Sequence, residues 1–122
     1  MKRTTLHIFL SFAFLLMLTD ISCAGEKLSK QEVTSLISGT NYKTSTGNNG
    51  TIDADGSLSA QSSSGGRSNG TWSVEDNGDY CNNWDNPRWS GSCAPFYKID
   101  EKPNVYLRDT PSGQAEYTFT KK

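Results

Sequence analysis

Hydrophobic positions divide this chain into three regimes. A predominantly apolar run from Leu6 to Leu18 comes first, a short helical stripe follows, and beyond Gly39 apolar residues alternate with polar ones in brief segments. The first run is shorter than the roughly 20 residues a membrane-spanning helix needs. Lys2 and Arg3 precede it, Asp20 ends it, and Ser22-Cys23-Ala24 supplies a small–x–small cleavage pattern. These features predict a signal peptide over 1–24, cut after Ala24. Cys23 offers a competing reading as a lipid anchor, against which Asp20 stands where an aliphatic residue is usual.

The second regime has explicit helix signals. Ser29-Lys30-Gln31-Glu32 spells a capping box, with Ser29 at the N-cap and Glu32 at the third helical position. Leu28 and Val33 occupy the places of a hydrophobic staple, and Val33, Leu36 and Ile37 fall on one face. Gly39 suits the stop. The pattern predicts one short N-terminal helix at 30–38, too short to persist unless its stripe docks on something.

The third regime reads as strand and turn. Asn48-Asn49-Gly50, Asp53-Ala54-Asp55-Gly56, Ser64-Gly65-Gly66, Asn77-Gly78 and Pro111-Ser112-Gly113 punctuate it. Strands are expected at 42–45, 51–54, 58–62, 71–75, 80–83, 94–99, 104–108 and 116–120. Phe96, Tyr97, Ile99, Val105, Leu107, Tyr117 and Phe119 are the core expected in the second half. The polar stretch 59–70 (SAQSSSGGRSNG) has no apolar anchor and is expected to be mainly a hairpin loop. The fold class is therefore all-β with one short helix: a small antiparallel β-barrel or meander of about seven or eight strands, forming a single domain over 25–122. Side chains are expected to fill so small a barrel, leaving little ligand volume.

Composition narrows the function. The full chain carries a formal charge of −1, and loss of Lys2, Arg3 and Asp20 makes it slightly more acidic. Nothing attracts nucleic acid, which requires clustered Lys and Arg. His7 is the sole histidine and leaves with the leader, so a Ser-His-Asp triad is excluded. No metal motif and no phosphate-binding glycine loop is present, and no cofactor is expected. Cys81 and Cys93 remain as an even pair, which in an oxidising compartment predicts a disulfide. Closing that loop is worth about 3 kcal/mol. The expected location is periplasmic or secreted, with membrane contact only during export or through a lipid at Cys23.

Gly70-Thr71-Trp72-Ser73-Val74-Glu75, Asn77-Gly78, Tyr80-Cys81, Trp84 and Cys93, with Leu36-Ile37-Ser38-Gly39-Thr40 and the Asp55-Gly56-Ser57-Leu58 turn, form a combined pattern. It resembles small exported bacterial proteins of the domain of unknown function 995 type, over roughly residues 36–120. The resemblance implies a periplasmic β-rich domain with no assigned activity and supplies no catalytic residue. The stretch Asp85-Asn86-Pro87-Arg88-Trp89 departs from the pattern, which carries another tryptophan–arginine run there.

Trp84, Asp85, Arg88 and Trp89 lie within the loop that the disulfide would stiffen, and are the candidate binding residues. Tryptophan and arginine dominate binding hot spots, and rigid display lowers the ordering cost. The alternative is that both indoles plug the barrel end. Asp53-Ala54-Asp55-Gly56 opens like a calcium loop but has Ser64 where the twelfth-position glutamate belongs, so it reads as a hairpin turn. Asp76, Asp79 and Asp85 read as surface acids rather than the facing pair that glycoside chemistry needs. A Ser–Lys dyad would need Lys43, Lys98 or Lys102 to be buried. Asn49-Gly50-Thr51 and Asn69-Gly70-Thr71 match glycosylation sequons and are read as turn entries.

The sequence thus points to an exported, non-enzymatic binding module whose partner is an envelope protein, a glycan or a hydrolase. The alternative is an inhibitor of a cell-wall hydrolase such as lysozyme, faintly echoed by Ser64-Gly65-Gly66-Arg67.

Overall fold

In the computed structural model, which describes residues 25–122, the capping box forms as its residues dictate. Ser29 Oγ accepts from the Glu32 amide at 3.2 Å, and Glu32 Oε1 accepts from the Ser29 amide at 2.8 Å. They start α1 (Lys30–Ile37), which buries Val33 and Ile37. Nine strands follow: β1 (Thr40–Thr44), β2 (Asn49–Ile52), β3 (Ser57–Gln61), β4 (Arg67–Val74), β5 (Tyr80–Trp84), β6 (Ser92–Ala94), β7 (Phe96–Lys98), β8 (Val105–Thr110) and β9 (Gly113–Lys121). The signal peptide expected over 1–24, Cys23 included, falls outside the described residues.

All strands join one antiparallel sheet in the order β6-β5-β4-β3-β2-β1-β9-β8-β7. β1 pairs with both β2 and β9, so the first and last strands of the chain meet in mid-sheet, and the terminal strands β6 and β7 are separated in sequence by Pro95 alone. The result is a nearly closed small barrel with one seam at Pro95. The ninth strand arises there. The segment expected as one strand over 94–99 divides, because proline has no amide to continue a ladder. The free edge of β7 is covered by the N-terminal segment: the amides of Gly25 and Leu28 donate to the carbonyls of Lys98 and Phe96 at 2.7 and 3.0 Å.

Three sequence expectations require correction. Residues 59–70 are not mainly a loop; β3 runs to Gln61 and β4 starts at Arg67, leaving only a short turn. Pairing of Ser59 with Asn69 and Ala60 with Ser68 overrides the weak strand preference of serine and glycine. The two Asn-Gly-Thr triplets lie inside β2 and β4, not at turn entries. There the glycines allow close approach: a Cβ on Gly50 would come within 2.7 Å of the Tyr42 ring, and one on Gly70 would strike the Asn83 carbonyl. The third correction is the phase of β8. Arg108 pairs with Phe96 and Ala115, so Tyr106 and Arg108 face inward. Val105, Leu107 and Tyr97 take the outer face, and with Ile99 are only half-buried. A register set by the partner strands moves every side chain to the opposite face when it shifts by one.

Inside, Phe96 is the hub. Its ring stands edge-on to Tyr117 at 5.2 Å and to Phe119 at 5.5 Å, and lies 5.7 Å from Tyr80. The helix closes one barrel end. Its last carbonyls, at Ser35 and Ser38, accept from Lys121 Nζ at 3.1 and 3.2 Å, so a cation from β9 sits at the negative end of a helix with no basic residue in its own last turn.

Candidate functional site: the open barrel end

The end opposite α1 stays open. The ends of β1, β3, β5 and β8 surround a cavity of about 380 Å³, with Tyr42, Tyr80, Tyr117 and Arg108 in its lining. Inward positions there are small: Ala60, Ser92 and Ala115. That is why ligand volume survives in a barrel expected to be filled, and the size falls within the range of small-molecule sites.

The disulfide loop forms part of the mouth. Cys81 and Cys93 are bonded directly across β5 and β6. From the end of β5 the chain is pinned to β4: the Asp85 amide donates to the Asn69 carbonyl at 2.8 Å, and the Asn86 amide to Ser68 Oγ at 3.0 Å. Asn86 then folds the loop back, its side-chain oxygen accepting from the Arg88 amide and its carbonyl from the Trp89 amide. Trp84 and Trp89 consequently meet edge to face at 4.9 Å, both half-buried and both lining the cavity. They are neither free in solvent nor a complete plug. Asp85 and Arg88 are exposed and do not line it. Of the four residues singled out from sequence, the fold brings together the two tryptophans.

Asp85 instead borders a wider groove of about 1010 Å³ on the outer face, walled by outward polar side chains such as Asn41, Lys43, Gln61 and Asn69. Asp79 and Asp85 flank the two ends of β5, roughly 20 Å apart at about 3.3 Å per residue. Asp76 pairs with Lys30 at 3.1 Å. Lys43, Lys98 and Lys102 are exposed. In the Asp53–Gly56 turn Ser57 Oγ donates to Asp55 at 2.6 Å and to Asp53 at 3.2 Å, while Lys122 pairs with Asp53. The Ser57 hydroxyl and amide hold the Asp55 carboxyl below its ordinary range. Ser64, Gly65 and Gly66 belong to the β3–β4 turn and Arg67 opens β4; the position a Cβ on Gly66 would take lies 3.8 Å from Trp89.

Arg108 is the residue that sequence reasoning missed. It is only 1% exposed. Nε donates toward the Ala94 carbonyl at 3.4 Å; Nη2 donates to the Tyr80 carbonyl at 2.9 Å, the Ser92 carbonyl at 3.4 Å and Ser92 Oγ at 3.3 Å. The guanidinium therefore bridges β8 to β5 and β6 across the seam. Its carbon lies 4.8 Å from the Tyr80 ring centre and 5.7 Å from that of Phe96. None of the ion pairs among the described residues includes it. Enclosing an unpaired cation costs several kcal/mol, offset here by carbonyl dipoles and aromatic faces. The sequence signal was the hydrophobic alternation of β8, whose apparent phase pointed Arg108 outward.

Burial pushes the phenols of Tyr42 and Tyr80 well above the ordinary range; neighbouring tyrosines add to this at Tyr42, and Arg108 opposes it at both. A phenol in the unfolded chain ionises near pH 10. Protonated burial therefore stabilises the fold below that pH, and the contribution is lost as pH rises above it. Alkaline titration followed by tyrosinate absorbance is expected to show these two tyrosines ionising only as circular dichroism reports unfolding. Free ionisation of all tyrosines in the folded protein would contradict this.

No family model, curated protein or solved structure matches this chain, so the reading of the open end rests on its own residues.

Proposed function

We propose that this domain is an exported, non-enzymatic binding module whose site is the open barrel end, with Trp84 and Trp89 as aromatic walls. One observation carries the reading: a cavity of about 380 Å³ is bordered by two half-buried indoles on a loop tied down by a disulfide and by β4. Such a mouth offers apolar area at little ordering cost, the combination that makes tryptophan a binding anchor. Export is supported by the leader features and by the disulfide, which belongs to an oxidising compartment. No helix among the described residues is long and apolar enough to cross a membrane.

Titration with Nile red, a neutral apolar fluorophore, tests the site. The native protein is expected to enhance its emission saturably. Trp89→Ala should weaken binding about tenfold or more. It should cost stability only about 1 kcal/mol, because Trp89 stands at the rim. Unchanged dye affinity in a folded Trp89→Ala protein would remove the rim from the site.

A further inference from the structure

We infer that the open-end cavity takes a small organic monoanion, a carboxylate carried on an apolar or flat body, with its charged head on Arg108. This deepens the reading of the open end as a ligand site and rests on it.

The first observation is the geometry of the guanidinium. Its hydrogen bonds, all to β5 and β6, use Nε and Nη2; Nη1 donates to none of the described residues. Every enclosed polar side-chain atom among the described residues has a partner. Nη1 must therefore keep access to open space, and Arg108 lines the cavity. The one guanidinium nitrogen without a partner among the described residues thus belongs to a side chain on the cavity wall.

The second is the missing countercharge. The neighbours of Arg108 that carry carboxylates point away: Asp109 is exposed, and Glu116 pairs with Lys102 at 3.2 Å. The elements packed on Arg108 present Tyr80, Ser92, Ala94, Phe96 and Ala115 to it, none of them acidic. In such a low-dielectric setting a charge-assisted bond from Arg to a carboxylate is about twice as strong as a neutral one. A single unpaired cation matches a single negative charge; a second charge would be buried without a partner.

The third is the wall. Tyr42 and Tyr80 also line the cavity, and burial keeps both phenols protonated in the fold. Trp84, Trp89 and Tyr117 offer faces and edges for an apolar or planar body. The ligand would enter head first, its charge inside and its body against the tryptophans.

Matched probes decide the matter at pH 7 by calorimetry: octanoate against octan-1-ol, and indole-3-acetate against indole-3-ethanol. In at least one pair the acid is expected to bind the native protein about tenfold or more tighter than the alcohol, the effect of one charge-assisted contact. Arg108→Met should bring acid and alcohol to equal affinity. If that variant does not fold, the acid–alcohol ratio of the native protein decides alone. Alcohols binding as tightly as acids would overturn the anion assignment while leaving the open end a binding site. A preference for acids retained by folded Arg108→Met would overturn it too. Binding of neither member of either pair by a protein that still binds Nile red would overturn the anion assignment alone, whereas absence of dye binding as well would overturn both readings.

Discussion

Truncating Phe96 to alanine is expected to destabilise the domain by roughly 3–5 kcal/mol, the range for removing a buried aromatic. The ring is 1% exposed and touches Tyr80, Tyr117 and Phe119. It also forms one of the two aromatic faces over the Arg108 guanidinium. Its removal would leave a void at the seam beside a buried cation, so water would enter where the sheet is not hydrogen-bonded to itself. Small domains have a total stability of about 5–15 kcal/mol, so Phe96→Ala is expected to sit near the threshold of folding. Urea denaturation measures the change. A loss below about 1 kcal/mol would mean that the seam relaxes onto smaller side chains and that Phe96 is not its hub.

Reduction of the Cys81–Cys93 bond is the second large effect, expected to cost about 3 kcal/mol by loop-closure entropy. The bond staples β6, an edge strand of three residues, to β5. β6 provides the Ala94 and Ser92 carbonyls that face Arg108, and its start marks the end of the Trp89 loop. The reduced protein should therefore lose stability and dye affinity together. Comparing urea midpoints and Nile red titrations with and without reductant checks both. An unchanged midpoint with intact binding would show that strand pairing alone holds the mouth.

Local chemistry made some of this legible. The capping box works through atoms three residues apart, and α1 forms where Ser29 and Glu32 place it. The turn at Asn77-Gly78 works through Gly78, whose φ of 94° glycine adopts without strain. The pairing of Cys81 with Cys93 was expected once Cys23 was set aside with the expected signal segment, and Trp84 and Trp89 drew notice through residue type and the loop between the cysteines. Other features depended on partners distant in sequence. Ser68 and Gly70 carry no strand preference and became strand because β3 and β5 flank them. Asp85 and Arg88 could not be separated from the tryptophans until Asn86 had folded the loop.

Composition and short-range pattern by themselves determined an all-β domain with one capped helix and a cysteine pair, because these follow from residue types and contacts close in sequence. The inward turn of Arg108, the single seam at Pro95 and the cavity between them were decided only by tertiary structure. A strand has two faces, and which one meets the interior is chosen by the register of its neighbours. In β8 that choice, imposed by Phe96 and Ala115, placed a cation where the local pattern had promised leucine.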